Sequence, residues 1–153
     1  DGISTGDFSQ AGAVEYAVLI LKVSEIIVCG HSECGAMKTV AERSGRADAP
    51  NLIKWLQHAQ TAADRSEQER GLDPGLKLHD RISQINVLVQ LEHLASYPIV
   101  RQRVAAGALR LNGWWFDVVS GSIYSYDPAS GRFELIDRRM LRQMAARRPA
   151  CGQ

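Results

Sequence analysis

A histidine and a cysteine three residues apart are the pair in this sequence best suited to chemistry. They are His31 and Cys34, within the segment "IIVCGHSECGAM" of residues 26–37. Imidazole nitrogen and thiolate sulfur are ligands that zinc commonly takes together. From these residues alone two interpretations stay open: part of a zinc site, or a core cysteine beside a loop histidine.

An apolar run directly before His31 predicts the element that positions the pair. Residues 25–30 contain Ile26, Ile27 and Val28 with no polar alternation, which is typical of a strand covered on both faces in a parallel sheet. Ligands of open α/β sheets bind beyond the carboxyl ends of the strands. His31 follows this strand directly, so we expect it at such an end.

A helix is predicted to begin near Cys34 or Gly35 and to end before Gly45. The unpaired N–H groups and the dipole at a helix N-terminus favour an anion, so a thiolate at Cys34 would be stabilised there. Gly30 and Gly35 flank the pair and would allow a tight turn or the close approach of a bound species.

The other predicted elements alternate between helix and strand, which indicates an α/β layer architecture. Helices are expected over residues 12–23, 51–70 (with Asn51 as the N-cap), 76–95, 98–106 and 137–148. A second strand is expected over 109–119, followed by a hairpin over 122–136 with its turn at 127–131. In the second strand, Trp114 and Phe116 should face one side of the sheet and Trp115 the other.

Composition limits the possible classes of function. The chain has 153 residues, 45% hydrophobic and 23% charged, which is typical of one globular domain. Its net charge of +1 gives no reason to expect a nucleic-acid partner, and we interpret the basic segment 137–148 as a solvated helix face. No apolar run approaches the roughly 18 residues of a membrane span. Three cysteines favour a reducing location (cytoplasm, organelle or microcompartment) over secretion.

Two longer segments carry a resemblance to a known family. They are "EYAVLILKVSEIIVCGHSECGAM" and "SYPIVRQRVAAGALRLNGWWFDVVSG", and over about residues 12–136 the chain resembles the β-class carbonic anhydrases. The resemblance implies a zinc lyase that interconverts carbon dioxide and bicarbonate, built on a mainly parallel sheet flanked by helices. It also implies a homodimer or higher homo-oligomer with its active site near the dimer interface. His31 and Cys34 would be two of three protein ligands to Zn²⁺, and the loop Ser32 to Gly35 would shape the site.

The sequence departs from the family pattern in one respect. The family takes its third zinc ligand from an upstream Cys-x-Asp-x-Arg segment, which also supplies an aspartate and arginine dyad, and this sequence contains no such segment. No catalytic residue is therefore assigned, and the substrate-binding residues stay unknown. We expect residues 1–153 to be a single domain that corresponds to the C-terminal two-thirds of a β-carbonic anhydrase domain, without its N-terminal strands.

Three accounts of this departure are open. An upstream segment could complete a longer protein, another chain could complete a cleaved or shortened one, or the protein could be a natural remnant that lost catalysis. In the last case the alternative function is an inactive oligomerisation or scaffold module.

Few other residues could replace the missing ligand or dyad. Cys29 lies on the same strand face as His31, about 6–7 Å away, but a small buried hydrophobe is the favoured interpretation. Cys151 is assigned no role. The remaining histidines are interpreted as surface or core-edge residues: His58, His79 and His93. Two adjacent acid and base pairs are not convincing replacements for the missing dyad, because neighbours on a helix point apart: Asp80 with Arg81, and Asp64 with Arg65.

Overall fold

The computed structural model describes residues 8–44, 48–68 and 75–146, and for residues 67–68 and 143–146 it describes the backbone only. Cys151, Arg147 and Arg148 lie outside the described residues. Seven α-helices are present in the described part of the chain: α1 Ser9–Glu15, α2 Gly35–Glu42, α3 Pro50–Leu56, α4 Gln60–Gln68, α5 Leu78–Ser96, α6 Pro98–Ala105 and α7 Arg138–Ala146. A π-helical segment, Tyr16–Ile20, continues α1, and a 3₁₀ turn, Gln57–Ala59, separates α3 from α4.

The helix predicted over residues 51–70 differs from the structure in two ways. It is divided into α3, the 3₁₀ turn and α4, and Asn51 is not its N-cap. Ala49 occupies the N-cap and Pro50 begins α3. Proline suits this first position because its missing N–H would have no partner there in any helix.

The four strands described form one mixed sheet in the order β1-β2-β3-β4. Their bounds are β1 Glu25–His31, β2 Arg110–Asp117, β3 Ser122–Asp127 and β4 Arg132–Leu135. β1 and β2 are parallel, with His31 opposite Phe116, and the other two pairings are antiparallel. The α/β fold and the hairpin of β3 and β4 are confirmed.

The prediction that β1 is covered on both faces is wrong for the described chain. Ile27, Cys29 and His31 alternate as exposed residues along one face. Helix α5 covers the opposite face only. Within the described residues β1 is also an edge of the sheet, with β2 as its one neighbour. Ile27 is therefore an apolar residue on a face of β1 that nothing in the described chain covers.

Helix α5 is the central packing element of the core. Its buried Ile82, Ile85 and Val89 pack with Met37 of α2 and with two alanines around the start of α4, Ala59 and Ala62. Full burial of each such aliphatic side chain contributes about 1.5–3 kcal/mol. The structure thereby holds α5 rigidly against α2 and α4.

The sheet meets α5 through a glycine. A Cβ atom added at Gly30 would lie 2.8 Å from Cγ2 of Val87 and 3.2 Å from Oγ of Ser83. Carbon atoms in contact prefer about 3.5–4.0 Å, so only glycine lets α5 seat this close to β1. The sequence predicted that Gly30 would allow a tight turn or the close approach of a bound species. In the structure it is helix α5 that approaches Gly30 closely. At Gly35 an added Cβ would meet no atom within 4 Å in the part of the chain that the structure describes.

A second, smaller cluster closes the other end of β1. Val18 from the π-helical segment, Val100 from α6 and Leu109 just before β2 are fully buried together. None of the helices described is both long and apolar enough to cross a lipid bilayer.

Candidate metal centre

His31 is the last residue of β1, at the carboxyl end where the sequence predicts a ligand site. Its Nδ1 lies 2.9 Å from the carbonyl oxygen of Ser32. A carbonyl can only accept, so Nδ1 carries the proton and donates it. Nε2 is then the ring nitrogen left to accept a partner, and no hydrogen bond among the described residues occupies it; the His31 side chain is exposed.

Cys34 is the N-cap residue of α2, as the sequence predicts within one residue. Its backbone is extended, with φ −65° and ψ 118°, and its side chain makes no capping hydrogen bond. Cys34 is half-buried and forms no disulfide within the described residues. The first turn of α2, with its unpaired backbone N–H groups, begins directly after it. Among the described residues, His31 and Cys34 thus each keep a donor atom without a hydrogen-bond partner, of the kind that zinc takes.

Ser32 joins the loop to the end of β2. Its N–H donates to the carbonyl of Phe116 at 2.9 Å, and its Oγ donates to Oδ1 of Asp117 at 2.9 Å. The same Oγ accepts the N–H of Val118 at 2.9 Å. Hydrogen bonds from the hydroxyl of Ser120, the N–H of Val119 and the hydroxyl of Ser32 lower the pKa of Asp117, which keeps it an anionic acceptor.

Helix α5 holds the residues on both sides of Ser32. Oγ of Ser83 donates to the carbonyl of His31 at 2.8 Å, and the indole N–H of Trp115 donates to that Oγ at 3.2 Å. The N–H of Glu33 donates to Oδ1 of Asp80 at 2.7 Å. The three residues that precede Cys34 therefore each have a hydrogen bond to another element of the fold.

A charged cluster surrounds the side chain of Glu33. Lys38 and Lys77 both pair with its carboxylate, and these hydrogen bonds lower the pKa of Glu33 to about 2. Nε2 of His79 lies 3.6 Å from Glu33 Oε1 and 3.5 Å from Asp80 Oδ1. Glu33, His79 and Asp80 lie close enough together to hold a metal ion. However, the ammonium groups of both lysines already neutralise Glu33, and Asp80 accepts the Glu33 N–H.

No third ligand joins His31 and Cys34 among the described residues. The one group of three or more histidine, cysteine or carboxylate side chains found there is Glu33, His79 and Asp80, so Cys29 does not complete a three-ligand site. Sγ of Cys29 lies 3.4 Å from the carbonyl of Gly30. The favoured interpretation of Cys29 as a buried hydrophobe is also wrong, because its strand face is uncovered. Neighbouring atoms nevertheless desolvate its sulfur and raise the pKa of the thiol.

The other candidates from the sequence stay away from the pair. His58 and His93 are exposed, as expected, and His79 is half-buried at the edge of the loop. Asp80 binds Glu33, and Arg65 pairs with Glu92 at 2.8 Å. Neither adjacent acid and base pair forms a dyad.

A cavity of about 480 Å³ lies behind the loop, on the face of the sheet that α5 covers. Its wall includes Ser32, Glu33, Asp80 and Trp115, but neither His31 nor Cys34. Trp115 is buried and Phe116 exposed, as the strand alternation predicts. The proposed zinc ligands therefore do not open into this cavity.

Asp80 and Ser83 hold the loop in place through hydrogen bonds. The sequence did not predict this role for either residue. They lie 47 and 52 residues beyond their partners Glu33 and His31. No local spacing connects residues so far apart. The one available signal was the run of polar residues in the first turns of a helix that is otherwise apolar on that side.

Comparisons with known proteins point to one family. A family model described as carbonic anhydrase matches residues 3–123. A carbonic anhydrase of Pseudomonas aeruginosa is 38% identical over 123 residues, which cover 80% of this chain and 56% of the relative. Carbonic anhydrase 1 of Escherichia coli O157:H7 is 37% identical with the same coverage of both chains. The chain thus spans a little over half the length of these curated relatives.

Solved structures give the same result for the fold. The β-carbonic anhydrase CcaA superposes with a TM-score of 0.77 at 31% identity, covering 88% of this chain and 65% of that chain. A structure described as one of two tetrameric β-carbonic anhydrases from the ascomycete Sordaria macrospora has a TM-score of 0.65 at 31% identity. The superposition covers 80% of this chain and 62% of the Sordaria macrospora chain.

Proposed function

Because the chain belongs to the β-class carbonic anhydrase family, we propose that it takes part in the zinc-dependent, reversible hydration of carbon dioxide to bicarbonate and a proton. The observation that carries the proposal is the position of His31 and Cys34. Both lie where β1 passes into α2, with an imidazole nitrogen and a thiol that no hydrogen bond within the described chain occupies.

The donor set fits zinc in kind and falls short in number. A catalytic zinc site holds three protein ligands and leaves a fourth position open, and His31 and Cys34 are two. We propose that a ligand from outside the described residues completes the site. The shortage also supports the second candidate, an inactive scaffold that assembles without zinc, and the experiment below separates the two.

The residues of this chain have definable tasks in the proposed reaction. The hydrogen bond from Nδ1 to the carbonyl of Ser32 fixes the tautomer of His31 and leaves Nε2 as the nitrogen for the metal. The N-terminus of α2 stabilises negative charge at Cys34. When bound, zinc supplies the Lewis acidity that lowers the pKa of a water molecule to about 7, which provides a nucleophile near neutral pH. The apolar Phe116 opposite His31 borders the same face of the sheet and would favour an uncharged gas over water.

We also propose that the functional form is a homodimer or higher homo-oligomer. Ile27, Phe116 and Ile123 are 42%, 36% and 36% exposed, although all three lie in strands of the sheet. Four apolar residues of the π-helical segment and its end are at least half exposed as well: Tyr16, Leu19, Ile20 and Leu21. Contiguous apolar surface of this kind marks interaction sites, and a similar structure is described as tetrameric.

Metal analysis combined with carbon dioxide hydration tests the proposal. We expect the purified full-length protein to hold zinc in proportion to its subunits, and the His31→Ala variant to lose both zinc and stopped-flow hydration activity. His58→Ala is the matched control, since it removes an exposed histidine without a role. Zinc-free, inactive wild-type protein that still assembles would support the scaffold instead.

A further inference from the structure

We propose that Asp80 is a positioning residue for the metal centre, because its buried carboxylate holds the backbone of Glu33 and so sets the relation of His31 to Cys34. The inference deepens the proposed function and rests on it. Asp80 touches neither of the two zinc ligands in the structure. It acts on them through the loop that joins them.

The loop needs such an anchor because Glu33 has an unfavourable backbone conformation. Its φ of 55° lies in the left-handed region, which residues with a Cβ adopt rarely. This conformation reverses the chain between the end of β1 and the first turn of α2. If Glu33 relaxed to an ordinary conformation, the loop would follow another path, and the N-cap position of Cys34 relative to His31 would change.

The bond from Asp80 is suited to hold this conformation. The N–H of Glu33 donates to Oδ1 of Asp80 at 2.7 Å, which is at the short end of the range for N–H···O hydrogen bonds. Asp80 is only 6% exposed, so water competes weakly for its carboxylate. The oxygen is also placed by the first turn of a 19-residue helix.

A second bond makes the anchor rigid. Ser83 lies three residues beyond Asp80, on the same side of α5, and donates to the carbonyl of His31. The two bonds grip the loop on either side of Ser32. Since the core residues Ile82 and Ile85 hold α5 itself in place, the loop is fixed before any metal arrives. A ligand pair held in this way binds metal without the cost of ordering the loop.

Zinc affinity is the first test. We expect Asp80→Ala to weaken zinc binding by about 10–100-fold in competition with a chelator, as losses of outer-shell partners do. Asp80→Asn keeps an acceptor oxygen in place and should recover most of the affinity. Asp80→Glu keeps the charge but displaces the carboxylate by one methylene, so it should recover less than Asp80→Asn. In the cobalt-substituted proteins, the intensity of the sulfur-to-metal charge-transfer band should rank the Asp80 variants in the same order as their zinc affinity.

Glu92→Ala is the matched control, since it removes a carboxylate from the far end of the same helix, where it pairs with Arg65. It should leave zinc affinity unchanged. Equal affinity of Asp80→Ala and wild type would overturn the inference. A higher zinc affinity of Asp80→Glu than of Asp80→Asn would also overturn it. That result would mean that zinc affinity depends on the charge of residue 80 and not on the position of its acceptor oxygen. If Asp80→Ala does not fold, the order of the Asn and Glu variants alone decides.

Hydrogen exchange of the metal-free protein tests the anchor without zinc. Asp80→Ala should speed the exchange of the Glu33 amide about tenfold or more. The Ser32 amide, which donates to Phe116, serves as the internal reference. Unchanged exchange at Glu33 would contradict the inference. If wild-type protein binds no zinc, the proposed function fails, while the exchange result still shows whether Asp80 holds the loop.

Discussion

Replacing Gly30 by alanine should push α5 away from β1 and lower the free energy of unfolding by about 1–3 kcal/mol. The new Cβ would lie 2.8 Å from Cγ2 of Val87, where carbon atoms prefer about 3.5–4.0 Å, so an overlap of roughly 1 Å must be relieved. Val87 is buried, and a β-branched side chain in a helix has essentially one χ1 rotamer. The Ser83 backbone carbonyl at 3.3 Å means that α5 itself has to move.

Urea unfolding of a double-mutant cycle measures this overlap. Val87→Ala alone should cost about 2 kcal/mol through lost burial and the cavity left behind. In the combined variant Gly30→Ala with Val87→Ala, the new methyl group occupies part of that cavity. We therefore expect a total loss smaller than the sum of the two single losses by about 1 kcal/mol or more.

Gly12→Ala is the control for the general effect of removing a glycine. A Cβ at Gly12 would meet no atom of the described residues within 4 Å, and Gly12 lies in α1. This change should be neutral or stabilise by up to about 1 kcal/mol, because alanine favours helix more than glycine does. A Gly30→Ala variant as stable as wild type, or additive losses in the cycle, would refute the seating of α5 on Gly30.

Three further predictions concern charge, turn and assembly. Lys38 and Lys77 lower the pKa of Glu33 to about 2. The stabilisation from these ion pairs is therefore complete above about pH 4.5 and is lost as the pH falls towards 2. Carboxyl NMR should show that Lys77→Met raises the pKa of Glu33. Asp127→Ala should lower the midpoint of urea unfolding, since its carboxylate accepts two N–H groups in the β3–β4 turn. In sedimentation, Phe116→Asp should weaken self-association, whereas Val119→Asp, on an exposed turn residue outside the sheet, should not.

Each of the three has an outcome that contradicts it. An unchanged titration of Glu33 in Lys77→Met would mean that the ion pair does not form in solution. Equal stability of Asp127→Ala and wild type would exclude a structural role for the turn carboxylate. Equal sedimentation of the Phe116→Asp and Val119→Asp variants would place the assembly surface elsewhere than on the open face of the sheet.

Elements whose cause is local could be predicted from the sequence. The apolar run before His31 predicted β1, the alternation of tryptophans and phenylalanine predicted the faces of β2, and the turn residues after Asp127 predicted the hairpin. Cys34 was expected at the start of a helix and is the N-cap of α2. In each case the signal lies within a few residues of the feature that it predicts.

Features that depend on distant partners could not be predicted. The apolar character of β1 was interpreted as burial on both faces, whereas the described chain covers only one, because periodicity reports what a strand can bury and not what covers it. Similarly, the left-handed turn at Glu33 has no sequence signal, since glycine or asparagine is the usual residue there. Its support comes from Asp80, which only the packing of α5 brings near.

The unpaired side of β1 has a practical consequence. In the part of the chain that the structure describes, one row of its backbone amides and carbonyls has no strand beside it. Main-chain groups of this kind recognise an extended peptide through its backbone, while its side chains supply only the choice of partner. A short synthetic peptide added in trans could therefore dock there as an additional strand. The same edge would make the polypeptide a starting point for a split reporter whose signal depends on strand complementation.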